Sequence, residues 1–160
     1  MKNMVITYGW LGYFLLSILT ALLNIGELLP LHKYGTAICV FASAALLVLA
    51  QALTILSFRL RKTNPINQRI CTTFWLVMAA ALVLLLCFAD IANQSRGFAY
   101  DVSFGVVVLA IAFLSSWAGF NFLEVGWIYP LVYGVIAVNG AVMLLYLLWD
   151  RRQRRGQTTK

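Results

Sequence analysis

Residues 102–120, VSFGVVVLAIAFLSSWAGF, form the apolar run on which the number of membrane crossings in this chain depends. Its centre, Val106–Leu114, contains nine apolar residues in succession, whereas serine and glycine make both ends more polar. A helix needs about 20 mostly apolar residues to cross about 30 Å of hydrocarbon, so this run lies at the lower limit. Whether it crosses a bilayer distinguishes a bundle of four crossings from a bundle of five.

Four longer apolar runs flank this one, at residues 5–29, 34–58, 70–89 and 126–149. The 160-residue chain is 62% hydrophobic and only 11% charged, and its mean hydropathy is +0.88. Soluble domains are about 45–50% apolar and about 25% charged. The composition therefore excludes an ordinary soluble enzyme, a disordered tail and a disulfide-rich secreted fold. Continuous runs predict helices, because the strands of membrane barrels alternate apolar and polar residues.

Nine of the twelve basic residues lie in two segments that contain no acid. One segment is the loop between the second and third apolar runs, and the other is the tail at 151–160. Lysine and arginine in short flanking segments stay on the cytoplasmic side, so both segments are predicted to be cytoplasmic. The residues that anchor this topology are Arg59, Arg61, Lys62, Arg69, Arg151, Arg152, Arg154 and Arg155.

Two cytoplasmic segments require an even number of crossings between them, yet three apolar runs separate Arg69 from Arg151. The run at 102–120 is the best candidate for a non-spanning segment, because it is the shortest and has the most polar ends. We therefore predict an all-α integral membrane protein with one transmembrane helical domain at 1–150 and a basic cytoplasmic tail at 151–160. This small helical bundle has four transmembrane helices plus one non-spanning or re-entrant apolar segment, and five transmembrane helices are the alternative.

Four acidic residues fall on the outer side in the four-crossing topology, namely Glu27, Asp90, Asp101 and Glu124. They are candidates for an outer-face interaction with a partner. Glu124 is the most unusual of them, because apolar and aromatic residues surround it in the sequence FNFLEVGW at 120–127.

Two polar amides, Gln51 and Asn139, lie deep inside apolar runs. Polar residues at such depth form hydrogen bonds between helices or mark a transport path. We expect helix–helix contacts, and a transport site is the alternative. No carboxylate, lysine or histidine lies at comparable depth, which argues against a proton-coupled pump.

Nothing in the sequence predicts a catalytic centre, a metal site or a cofactor. His32 is the only histidine, and the three cysteines, Cys39, Cys71 and Cys87, form no CxxC pair. Cys39 and Cys87 approach the outer ends of their helices, so a disulfide between them is conceivable, although buried thiols are expected. No nucleophile elbow, phosphate-binding loop, HExxH or GxGxxG motif is present.

The net charge of +7 is explained by the two basic segments, which predict attraction to anionic lipid at the inner surface. No folded domain carries this charge toward a nucleic acid. The sequence favours a non-enzymatic, multi-pass protein of a bacterial inner membrane with both termini in the cytoplasm. It would bind another membrane protein or an incoming macromolecule, as immunity proteins, superinfection-exclusion proteins and accessory subunits do. A small oligomeric transporter or channel, with Gln51 and Asn139 facing a shared water path, is the alternative.

Overall fold

The computed structural model describes residues 2–28, 36–60, 65–94, 96–117 and 128–157. Within these ranges the chain is helical, without strands, and the helices are α1 (Lys2–Leu28), α2 (Thr36–Arg59), α3 (Pro65–Gln94), α4 (Phe98–Leu114) and α5 (Ile128–Gln157). Four of them, α1, α2, α3 and α5, are long and apolar enough to cross a membrane. The fifth, α4, has 17 residues and is shorter than these four. The prediction of an all-helical chain with four long apolar helices is confirmed.

The helices do not end where the apolar runs end. Helix α3 begins five residues before the run at 70–89, because Pro65 occupies the first helical position, where the missing N–H costs no hydrogen bond. Helix α5 continues through the basic residues to Gln157, since arginine and glutamine are good helix formers. The described part of the tail is therefore an extension of α5.

Helix α3 is the centre of the bundle and packs against all four other helices. The hydroxyl of Thr7 donates a 2.8 Å hydrogen bond to Oδ1 of Asn67, so α1 and α3 begin at the same end. The indole of Trp10 donates to Ser57 near the end of α2, which makes α2 antiparallel to both. In the second half of α5, the ring of Tyr146 lies 5.4 Å, centroid to centroid, from the ring of Phe58 near the end of α2.

These helix directions separate the charges between the two ends of the bundle. The basic end carries the exposed side chains of Arg59, Arg69, Arg151 and Arg152. The acidic end comprises the last turns of α1 and α3, with Glu27 and Asp90, and the first turn of α4, with Asp101. Both predicted basic segments thus have their described residues at one end.

Helix α4 returns from the acidic end along α3 but stops near its middle. A tight turn precedes it, in which Gly97 has φ 65°, a conformation that residues with a side chain rarely adopt. A short 3₁₀ turn, Ser115–Trp117, follows it. The ring of Trp117 lies 5.9 Å from the ring of Trp75, and Ser115 lines a groove together with Met78, close to the midpoint of α3.

The interior of the bundle holds many small polar residues, whereas its exterior is largely apolar. Buried polar side chains are Thr20, Asn24, Ser43, Thr54, Ser57, Asn67, Thr72, Ser103, Ser115 and Ser116. Every described helix exposes large apolar side chains, which are mostly leucine, isoleucine, valine or phenylalanine. A water-soluble fold buries such residues, so this inverted distribution is typical of a protein that has lipid as its solvent.

Helix α5 approaches α3 closely at Gly140. A Cβ atom placed there would lie 2.5 Å from the Cβ of Ala79, whereas one placed at Gly134 meets nothing within 4 Å. The absent side chain therefore lets the two backbones come together, as small residues do at helix contacts in membranes.

We expect Gly140→Ala to lower the free energy of unfolding by about 1–3 kcal/mol, because the added methyl group must push the helices apart. Gly134→Ala is the matched control and should leave stability unchanged or raise it by up to about 1 kcal/mol, since alanine favours the helix. Thermal unfolding in detergent measures both. Equal effects of the two substitutions would show that the close contact at Gly140 does not stabilise the bundle.

Candidate functional site

A buried polar site in the described bundle joins α1, α2 and the end of α4. We call Asn24, Ser43, Ser115 and Ser116 the polar cluster. The side-chain amide of Asn24 donates to Oγ of Ser43 at 3.3 Å and to the carbonyl oxygen of Ser115 at 2.8 Å. The hydroxyl of Ser43 donates to the carbonyl oxygen of Ser116 at 2.9 Å. All four residues are buried.

The polar cluster provides hydrogen-bond donors for the carbonyl groups at the end of α4. The last carbonyls of a helix have no partner within the helix, and an unpaired carbonyl in apolar surroundings is costly. Asn24 and Ser43 supply hydrogen-bond donors from two neighbouring helices. The cluster thereby fixes the end of α4 against α1 and α2.

One buried polar atom of the cluster, Oδ1 of Asn24, has no hydrogen-bond partner in the described structure. It is an amide acceptor that does not ionise near neutral pH. The site can therefore bind or orient a polar group, but it offers no acid or base for proton transfer.

A second set of hydrogen bonds connects α2 to α3 nearer the basic end. The hydroxyl of Thr54 donates to the carbonyl oxygen of Ala50 at 2.7 Å. It also accepts from the indole of Trp75 at 2.8 Å and from the thiol of Cys71 at 3.6 Å. These neutral contacts between helices stabilise the register of α2 on α3.

The structure brings the two predicted amides, Gln51 and Asn139, to one groove between α2 and α5. Both side chains are half-buried, and the groove has a volume of about 610 Å³. The amide of Asn139 donates to the carbonyl oxygen of Val135 in its own helix, at 2.8 Å. The Asn139 amide therefore makes its hydrogen bond within α5 and not across the groove to α2.

The four predicted interaction acids are not all visible in the structure. Asp101 is exposed in the first turn of α4. Glu27 and Asp90 belong to α1 and α3 at the same end of the bundle, but their side chains are outside the described set. Glu124 also lies outside the described residues.

The predicted topology anchors are described in part. Arg59, Arg69, Arg151 and Arg152 are exposed at the basic end. The remaining four are outside the described residues or have undescribed side chains, and they are Arg61, Lys62, Arg154 and Arg155.

Among the residues that the structure describes, no three His, Cys, Asp or Glu side chains come together as metal ligands. Cys39 and Cys71 are buried and Cys87 is exposed, and all three are free thiols. The conceivable disulfide between Cys39 and Cys87 is therefore not formed. His32 lies outside the described ranges.

Comparison of the chain with protein-family models, with curated proteins and with solved structures finds no match. Functional reasoning therefore depends on the geometry of this chain alone.

Sequence reasoning missed the polar cluster, although one of its members carried a usable signal. Asn24 is an amide inside the apolar run at 5–29, which is the same signal that marked Gln51 and Asn139. Ser115 and Ser116 indicated only a polar end of the run at 102–120. Their role depends on carbonyl groups, which no residue type reveals.

Asn24→Leu is expected to lower the free energy of unfolding by about 1–3 kcal/mol, because it leaves the Ser115 carbonyl buried without this donor. Asn139→Leu serves as the control, since its amide bonds only to its own helix and its loss should cost less. Thermal unfolding in detergent compares the two. A smaller effect at Asn24 than at Asn139 would contradict a stabilising role for the polar cluster.

Proposed function

We propose that the protein crosses a bacterial inner membrane four times, with both termini in the cytoplasm. The apolar exterior of the described helices supports a lipid environment. The collection of exposed arginines at one end supports a cytoplasmic position for that end. In this orientation α4 enters from the outer side and ends within the membrane, where the polar cluster covers its carbonyls. Irregular backbone at that depth is tolerated only when protein covers it.

Reporter fusions test this topology directly. We expect cytoplasmic reporters after Arg69 and after Lys160, and outer reporters after Asn93 and after Asn121. The physical reason is that α4 is too short to change sides, so α3 and α5 are the only crossings between the two basic segments. An outer reporter at Lys160 would overturn the four-crossing topology and favour five helices.

We propose further that the protein acts without catalysis, by binding another membrane protein or an incoming macromolecule within the membrane or at its outer face. The proposal is based on the exposed side of helix α4. Its buried stripe, with Ser103 and Ala110, packs on α3, while Leu109 is 64% exposed and Phe113 is 56% exposed on its other side. A short helix held along one side and at its end presents a fixed apolar face to a partner.

The first two turns of α4 carry a second exposed group of side chains, on a different side of the helix from Leu109, because the nine residues from Tyr100 to Leu109 make about two and a half turns. The rings of Tyr100 and Phe104 are stacked with 5.6 Å between centroids and 15° between planes, and both are exposed beside Asp101. We call these three residues the outer patch. Large aromatic side chains dominate binding energy at protein interfaces, and an adjacent charge adds selectivity. Immunity and superinfection-exclusion proteins are the functional class that this combination best fits.

A challenge assay tests the outer patch. Cells that express the protein are exposed to a panel of bacteriophages and pore-forming toxins, and survival is counted. We expect the wild type to protect against at least one agent, and we expect protection to fall at least about tenfold in the double variant Tyr100→Ala and Phe104→Ala, because aromatic anchors commonly contribute about 2 kcal/mol or more.

Phe41→Ala is the matched control, because Phe41 is an exposed aromatic residue in α2 toward the same end of the bundle. Membrane levels of all variants are compared by immunoblot. Absence of protection by the wild type, or equal protection by the patch and control variants, would count against an outer-face role.

The groove that contains Gln51 and Asn139 favours a second candidate function, a small oligomeric transporter or channel. Both amides line one groove on the side of the bundle, so the grooves of adjacent copies could together form a polar path. Purified protein in liposomes should then form oligomers and conduct solute, and Gln51→Leu should reduce the flux. Background flux from a monomer would exclude this candidate.

A further inference from the structure

A second groove, between α1 and α3, has the form of a binding site for one elongated molecule. Its volume is about 660 Å³, within the range of about 300–1,000 Å³ that small-molecule sites occupy. Along α3 it extends from Arg69 to Met78, which corresponds to about 13.5 Å of helix. Ser115 and Ser116, at the end of α4, line it as well. The groove therefore runs from the basic end of the bundle to the end of α4.

The chemistry of the lining changes along this groove. Phe14, Ile18, Phe74 and Val77 make its walls apolar. The charged group that lines it is Arg69, whose side chain is exposed. An occupant would therefore have an anionic group at the basic end and an apolar chain that runs toward the middle of the bundle.

Tyr13 contributes its ring, and not its hydroxyl group, to the groove. The side chain is only 1% exposed, and its buried hydroxyl group has the indole of Trp117 as its hydrogen-bonding neighbour inside the bundle. The Tyr13 ring lies 5.2 Å from the ring of Phe74, which is about 7.5 Å along α3 from Arg69. The two rings therefore form an apolar wall at the depth where an acyl chain would begin.

We infer that this groove binds one anionic phospholipid of the cytoplasmic leaflet. The phosphate contacts the guanidinium of Arg69, which matches phosphate oxygens with paired N–H donors. One acyl chain follows Phe74 and Val77 toward Ser115. The inference depends on the proposed membrane location and orientation. It differs from general attraction to the basic surface, because it assigns the headgroup to one of several exposed arginines.

Native mass spectrometry of the purified full chain in detergent tests the assignment. The protein is mixed with equal amounts of phosphatidylglycerol and phosphatidylcholine, and retained lipid is counted. We expect the wild type to retain one phosphatidylglycerol preferentially. Arg69→Gln should reduce this retention about tenfold, because it removes the charge-assisted hydrogen bonds from the guanidinium to the phosphate. Arg59→Gln is the control, since Arg59 is exposed at the same end but does not line the groove.

A second pair of variants tests the path of the acyl chain. Ala21 lines the groove, so Ala21→Phe should fill part of it and lower retention of phosphatidylglycerol severalfold. Ala52 is exposed on α2 away from the groove, and Ala52→Phe should leave retention unchanged. Thermal unfolding without lipid verifies that each variant is folded. The lipid should raise the melting temperature of the wild type and of the two controls only.

Equal retention of the two lipids by the wild type would overturn the assignment. Equal losses in Arg69→Gln and Arg59→Gln would overturn it too, because lipid would then be held by the overall charge of the basic end. These outcomes are distinguishable from failure of the proposed interaction function, because the challenge assay depends on the outer patch at the opposite end. They are likewise distinguishable from failure of the topology, which the reporter fusions measure.

Discussion

The requirement that every buried backbone carbonyl find a hydrogen-bond donor governs the arrangement of this bundle. Helix α4 ends near the middle of α3, where apolar side chains exclude water from its final carbonyls. The amide of Asn24 and the hydroxyl of Ser43 reach those carbonyls from α1 and α2. Three helices must therefore keep their relative positions for the short one to end where it does. The same bonds leave the outward side of α4 uncovered, and that side carries the proposed interaction face.

The distribution of charge is consistent with this constraint. A fifth complete crossing would have carried one group of arginines to the other end of the bundle. Because α4 stops halfway, the described arginines at the end of α2, the start of α3 and the end of α5 lie together. The basic end is then expected to interact with lipid in two ways, one general and one specific. Its total charge attracts anionic lipid in general, whereas Arg69 alone borders a groove suited to one lipid molecule.

Much of the fold could be predicted from the sequence, because helix formation in apolar runs is local. All five runs became helices, and the run at 102–120 contains most of the helix that is shorter than the rest. The helix ends were less predictable, as hydrogen bonding continues past the apolar limit wherever good helix formers follow. The candidate sites were predicted less well. Gln51 and Asn139 do lie near each other, but Asn24 makes the hydrogen bonds between helices, and its partners are carbonyl groups from a distant part of the chain.

The sequence by itself determined the all-helical class, the positions of the apolar helices and the grouping of basic residues, since each depends on residue type and spacing along the chain. Only the tertiary structure decided which polar atoms meet. It placed Asn24 and Ser43 on the carbonyls of α4 and set Arg69 at the mouth of a groove. The physical reason is that these features depend on helix direction, rotation and depth. Those quantities are set by close contacts, such as the one at Gly140, between residues far apart in the chain.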